Sequence, residues 1–452
     1  MAAAPACWLL EQCAGPVIDG EEWRNDIYTS PDTTHRTPHN EVIAESRSAI
    51  EKHRKENILI RFTDADGKPL SGVKTTVLQT TSRFDWGCSK AGNDVHRSEE
   101  ANHRRTKHLA ELFNCTTAKC YWDERWHQPI EHVEGKRITT VFEEEVQWGK
   151  ANRLRVKGHP LVWTVRKALP QWLDKYDYTT QLKKLEQHVR QMIAIGGTDV
   201  TRWDLCNEML WEPSLRHYQQ RRWPHIEHTD EILTYLEPAM HWAREANRHA
   251  IYSLNDYGLE KTYRPEITAE DQRKRYVELV EKMKLRGCAP DAIGTQAHVA
   301  GWYTPAVFRH SLNDLATAGL PLQITEFWAH TNKQNQLEKL NSRQKQLAVI
   351  AYITDMYTIA FGHPAVQHFT YWGDEQFVDT EGNKTAVYDA LYLLIRKQWM
   401  TNEQLTTDAS GTLSLRGFHG NYQIQYLNNR NEKISTNFIL EPNHPVKIKI
   451  HI

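Results

Sequence analysis

The chain has 452 residues, with 56 basic against 57 acidic side chains and 40% hydrophobic residues. That balance removes the electrostatic case for nucleic acid, and no apolar run approaches the roughly 20 residues that span a bilayer. The length allows one large domain with something smaller beside it.

The opening MAAAPACWLLEQC lacks the positive segment and long apolar stretch of a signal peptide, so the compartment stays open. Seven cysteines (Cys7, Cys13, Cys88, Cys115, Cys120, Cys206, Cys288) are odd in number and scattered. They read as free thiols packed as small hydrophobes, not as a disulfide framework or a zinc site. Residues 1–55 form an N-terminal extension that ends in a charged helical stretch, Ile43 to Arg54.

From Ile58 the period changes to two. Ile58, Ile60 and Phe62 alternate, a turn follows at Asp64–Pro69, and Val73, Thr75 and Val77 resume, which predicts an accessory β-hairpin over 56–82. Between residues 83 and 400 short apolar segments alternate with longer helical ones, the pattern of a parallel α/β arrangement. The candidate strands are Phe84–Cys88, Leu112–Thr117, Arg155–Trp163, Val200–Asn207, Ala250–Asn255, Ala292–His298, Leu322–Glu326 and Gln367–Trp372. Eight of them predict a (βα)8 TIM barrel, with helices over Gln181–Ile195, Arg273–Leu285 and Ser342–Ala360 between strands. Over 405–452, alternating Leu413 and Leu415, Tyr422, Ile424 and Tyr426, and Val446 to Ile452 predict a small C-terminal all-β unit. It is expected to pack with the N-terminal strands, since neither piece alone offers a large core. Its aromatics Phe418, Tyr422 and Tyr426 could form a sugar platform, though a core role is the better reading.

Polar groups gather at the carboxyl ends of the candidate strands, the face on which a parallel barrel carries its chemistry. The third delivers His159 and Trp163, the fourth Asn207 and Glu208, the fifth Asn255-Asp256-Tyr257. The sixth delivers Gln296 and His298, which the i, i+2 spacing puts on one side. The seventh ends at Glu326 and the eighth at Tyr371-Trp372-Gly373. Singly each is weak: Asn255-Asp256 also reads as a turn or cap, His298 as a core histidine, Trp163 and Trp372 as packing. Jointly they place two carboxyl groups in one cavity, the minimal equipment for cleaving a glycosidic bond.

GHPLVW, WDLCNE, GTQAH, ITE and Tyr371-Trp372-Gly373 resemble, in order, the landmarks of glycoside hydrolase family 10, the endo-β-1,4-xylanase family. The likeness covers roughly residues 83–400. It implies a (βα)8 barrel and retaining hydrolysis of a β-1,4-linked glycan, typically xylan, which would act outside the cell or in the periplasm. Glu208 then matches the general acid/base, Glu326 the nucleophile, and Asn207 the residue that binds the sugar 2-hydroxyl. His298, with Gln296 beside it, matches the histidine bonded to the nucleophile, and His159, Trp163 and Trp372 match residues lining the sugar subsites. An ionised Glu326 nearby is expected to raise the pKa of Glu208.

The chain also departs from the family. Where the second strand usually ends in a Thr–x–Glu–Asn–Glu–Met–Lys–Trp stretch, this chain reads Phe113 to Trp122 without the Glu-Asn pair, and Thr164 stands where a second histidine is common. Both changes fall on the glycone side. The competing readings are a same-fold glycosidase acting on β-glucan or decorated xylan, and a non-catalytic carbohydrate-binding barrel. No metal or organic cofactor is expected, since the 23 histidines form no HExxH spacing and no Gly-rich phosphate loop appears. The expected partner is a xylan-like polysaccharide, with neither nucleic acid nor membrane, and the chain is expected to be a monomer.

Overall fold

The computed structural model describes residues 37–89, 94, 96–124, 128–219, 226–298, 301–331 and 335–452. Most of the N-terminal extension, including Cys7 and Cys13, lies outside the described residues. The extension's charged stretch forms a helix, His39–His53, with Val42, Ile43 and Ile50 buried.

Two strands follow, β1 (Lys55–Thr63) and β2 (Lys74–Ser82). Alternation holds in β1: Ile58, Ile60 and Phe62 are buried while Leu59 points outward. The expected hairpin does not form, because the two strands enter different sheets. β1 lies between β12 (Thr412–Phe418) and β15 (Val446–His451). β2 lies between β11 (Asn402–Thr406) and β13 (Gly420–Leu427), with β14 (Lys433–Leu440) beyond. The link between β1 and β2 makes only one bridge, Thr63 to Pro69. Hydrophobic residues of both sheets, among them Ile58, Phe62, Val77, Tyr422, Ile424 and Ile450, share one core. The terminal strands therefore build a sandwich together, as the small size of each piece requires. Phe418, Tyr422 and Tyr426 are 5%, 1% and 8% exposed, so they pack the core and offer no sugar platform.

The barrel closes from β3 (Asp85–Cys88) through β4 (Cys115–Lys119), β5 (Arg155–His159), β6 (Val200–Asn207), β7 (Ile251–Asp256), β8 (Ala292–Thr295) and β9 (Leu322–Phe327) to β10 (Val366–Tyr371), which pairs with both β9 and β3. All eight pairings are parallel. The expected strands are all present, three of them with a bound moved by more than one residue. Leu112 completes the buried face of the helix Glu99–Leu112, so β4 starts three residues later. Pro160, lacking an N–H, ends β5 at His159. β8 stops at Thr295, and Ala297 turns left-handed at φ 56°. Gly158 is required where it stands: a Cβ there would lie 2.2 Å from the Trp203 ring, which packs across β5. The expected helices form at Tyr178–Gly196, Ala269–Leu285 and Ser342–Gly362. The first two are capped by Asp177 and Thr268, and the third opens on a reciprocal Asn341–Gln344 box.

The sandwich sits under the amino-terminal end of the barrel. A cavity of about 590 Å³ lies between them, lined by Arg54, Asp85, Arg155, Arg202, His368 and His419 among others, and none of the expected site residues reaches it. Arg54 ties the units together. Its guanidinium donates to the carbonyls of Phe361, His363 and Val366, each at 2.6 Å, and stacks on Phe84 and Phe361. Cys88, Cys115, Cys120, Cys206 and Cys288 are buried and in no disulfide among the described residues. Among the described residues no helix is long and apolar enough to cross a membrane.

Candidate active site

Glu208 is the first residue beyond β6 and adopts φ 60°, a left-handed conformation uncommon for a residue with a side chain. Its backbone N–H is held by the carbonyl of Asn255 at 2.8 Å. Each carboxyl oxygen accepts a hydrogen bond, from Trp163 Nε1 at 2.9 Å and from Gln296 Nε2 at 3.0 Å. Trp163 reaches it because the segment after β5 keeps bonding to β6: Leu161 N–H to Asp204 O, Val162 N–H to Leu205 O, and Asn207 N–H back to Val162 O.

Glu326 lies inside β9 and is 6% exposed. Its closest partner is Asn255, whose Nδ2 donates to Oε1 at 2.7 Å. His298 Nε2 is 3.6 Å from Oε2, and His159 Nε2 is 3.9 Å from Oε1. His298 Nε2 is nearer to Gln296 Oε1, at 2.9 Å. Gln296 also donates to Asn207 Oδ1 at 3.3 Å, and Asn255 donates to the same oxygen at 2.8 Å. An amide network therefore joins the two glutamates: Gln296 binds Glu208, Asn255 binds Glu326, and both meet at Asn207. Trp372 follows β10 directly, half-buried, with the His159 ring edge-on at 5.3 Å.

All eight expected site residues thus come together at the carboxyl end of the barrel. Gln296 and His298 do so for a different reason than expected, since they meet across the left-handed turn at Ala297 and not along a strand pleat.

Asn255 is the residue that sequence reasoning underrated. Its signal is its register, directly opposite Asn207 in the β6–β7 pairing. Gly294 leaves the room it needs, because a Cβ there would sit 3.0 Å from Asn255 Oδ1. Two more residues contribute, Asp256 in a role that its place at a strand end did not specify and Tyr121 with no role expected. Asp256, completely buried, accepts Leu210 N–H and Tyr257 N–H at 2.8 Å each, clamping the loop after Glu208; burial pushes its carboxyl well above the usual range. Tyr121 stands edge-on to His159 and tilted against Trp163, in the stretch that departs from the family.

Beneath the site, Asp204 accepts from Lys157 Nζ and from His159 Nδ1, both at 2.8 Å, and from Ser253 Oγ at 2.8 Å. Burial would raise this carboxyl, but the adjacent Lys157 and His159 hold it well below the usual range. His159 is thereby fixed in orientation, with Nε2 toward Glu326.

The pKa of Glu208 is pushed up to about 7. Burial is the largest cause and the hydrogen bond from Gln296 opposes it. The charge on Glu326 adds to the rise, as does Glu212, while Lys167 reduces it. The expected effect of Glu326 is present, but desolvation outweighs it. Among the described residues no group of three or more His, Cys, Asp or Glu is arranged to hold a metal ion.

A model of the family described as "Glycosyl hydrolase family 10" matches residues 85–390. Endo-1,4-beta-xylanase 2 of Arabidopsis thaliana is 23% identical over 411 residues, covering 88% of this chain and 35% of its own length. Anti-sigma-I factor RsgI6 of Acetivibrio thermocellus is 21% identical over 395 residues, covering 84% and 46%. The chain thus spans less than half the length of these relatives. Among solved structures, xylanase 10B of Thermotoga petrophila RKU-1 in complex with xylobiose superposes with TM-score 0.54 at 21% identity, covering 70% of this chain and 95% of that one.

Proposed function

The chain belongs to glycosyl hydrolase family 10, and from that premise we propose that it is a retaining β-glycosidase whose substrate is β-1,4-linked polysaccharide, xylan above all. The observation that carries the reading is the amide network that binds both glutamates on one face. In this reading residues 83–400 form the catalytic unit, and 56–82 with 405–452 form a supporting unit beneath it.

Protonated Glu208 gives its proton to the glycosidic oxygen as the bond from that oxygen to the anomeric carbon breaks, and a carboxylate oxygen of Glu326 bonds to the anomeric carbon. Water then attacks the same carbon, Glu208 takes its proton, and the bond to Glu326 breaks. A pKa of about 7 leaves much of Glu208 protonated near neutrality, as a general acid requires. Once Glu326 is esterified its charge is gone, so part of the upward push on Glu208 disappears; having given up its proton, Glu208 stays ionised and can take the proton of the attacking water. Asn255 and His298 hold Glu326 in line for attack. The carbonyl oxygen of Asn207 is taken by Asn255 and Gln296, so its amide nitrogen is the group that meets the sugar 2-hydroxyl.

The names of the relatives and the xylobiose in a structural neighbour support xylan as the glycan. The test is to incubate wild type and Glu326→Ala with xylan, β-glucan and an aryl β-xyloside, following the anomer formed by proton NMR. The expected first product is the β-anomer, strongest from xylan, with turnover lost in the variant. Turnover that survives Glu326→Ala on every substrate, or an α-anomer as first product, would overturn the assignment.

A further inference from the structure

The site is walled on one side by a strip of aromatic side chains in contact: Trp163 with Tyr121 at 5.6 Å, Tyr121 with His159 at 5.7 Å, His159 with Trp372 at 5.3 Å. An ammonium stands at each end. Lys167 Nζ lies 4.8 Å from the Trp163 ring centroid, and Lys119 Nζ lies 5.6 Å from that of Trp372. Lys119 ends β4 opposite His159 in β5 and donates to the Ser89 carbonyl at 2.8 Å. Lys167 is exposed, and no carboxylate lies within ion-pair distance of it among the described residues.

Two ammonium groups set against the rings beside the glutamates supply more positive charge than neutral hydroxyls require. The floor between the two ammonium groups is acidic: the charges of Glu326 and Glu212 add to the rise of Glu208, behind its burial. That field would turn away a negatively charged sugar unless positive charge stood on the approach, and Lys167 is near enough to act on Glu208 itself. Both lysines lie in or beside segments where the chain departs from the family pattern, although that pattern carries a lysine of its own in the first. One lies in Phe113 to Trp122 and the other just beyond Thr164.

We propose that this wall recognises carboxylate-bearing sugar units, so that the preferred glycan is an acidic, uronic-acid-substituted β-glycan, with Lys119 and Lys167 as the specificity-determining residues. Each ammonium would pair with a uronate carboxylate while the neighbouring ring packs on the sugar's apolar face. This deepens the hydrolase reading and rests on it for the location of the groove.

The experiment separates the two. Affinity electrophoresis of the Glu326→Gln protein, through gels containing glucuronic-acid-substituted xylan or the same polymer after carboxyl reduction, measures binding without turnover. The acidic polymer should retain the protein about tenfold more strongly at low salt. The preference should vanish in the Lys119→Met/Lys167→Met double variant and at about 0.5 M NaCl, where surface charge is screened. It should persist in Lys119→Arg/Lys167→Arg, which keeps charge but changes shape. Equal retention by both polymers, or a preference untouched by removing both lysines, would overturn the proposal. Wild-type turnover on the two polymers is read in parallel, and its absence on both would count against the hydrolase reading alone. Thermal melts of the variants, whose changes lie on exposed or half-buried side chains, check that they fold.

Discussion

Replacing Glu208 by glutamine should remove turnover and, at neutral and alkaline pH, make the protein harder to unfold. In the folded chain Glu208 titrates at about 7, against an ordinary 4.5. Between those values the native state holds a proton that the unfolded chain has released, so stability declines as pH rises through the window. At 1.36 kcal/mol per unit, the ionised carboxylate costs about 3 kcal/mol by pH 8, and almost nothing near pH 4.5. Glutamine carries no such cost. It does carry another, independent of pH: both oxygens of Glu208 accept N–H groups, from Trp163 and Gln296, and an amide offers only one acceptor. The quantity to read is therefore the change of the difference with pH. Urea melts at fixed temperature, followed by tryptophan fluorescence at about pH 5 and pH 8, should show Glu208→Gln gaining about 2–3 kcal/mol on wild type across that interval. Parallel profiles for the two proteins would refute the argument that burial of this carboxyl raises it.

Trp163→Phe removes a donor that favours ionised Glu208, so the alkaline limb of the kcat/KM profile should move to higher pH by about one unit; a shift downward would contradict the contact. Asn255→Ala removes the shortest bond to Glu326, a charge-assisted one worth about 1.5–3 kcal/mol. kcat should fall roughly 10- to 100-fold with KM changed less, and a KM-only effect would place Asn255 in binding instead. Arg54→Met leaves three carbonyls without their donor at the base of the barrel, and should lower stability by about 3 kcal/mol or more in urea melts. A loss under about 1 kcal/mol would show that the link between helix His39–His53 and the barrel is dispensable.

The eight barrel strands were legible because most are buried on both faces and so read as short apolar runs. β7 and β9 have almost no exposed position. The two glutamates were legible because each breaks such a run with a charge. What sequence alone could not supply was lateral: Asn255 matters through its register with Asn207, and register across β6 and β7 is set by the closed sheet, not by either strand. Gln296 and His298 were placed side by side on a strand geometry that Ala297 interrupts. The hairpin reading of β1 and β2 failed for a related reason. Alternation specifies that a strand has one buried face, and it is silent on which distant strand supplies the hydrogen bonds.

That pairing bears on how the molecule is made. Ile58 waits for Leu415, and Val77 for Ile424, so the ribosome delivers the first two sandwich strands roughly 350 residues ahead of their neighbours. At about 5–20 residues per second the delay is some 20–70 seconds, during which two apolar ribbons stand with bare edges. The nascent chain is then most exposed to chaperones and to self-association, and synthesis of the strands that follow the barrel closes that interval by pairing them with β1 and β2 beneath it.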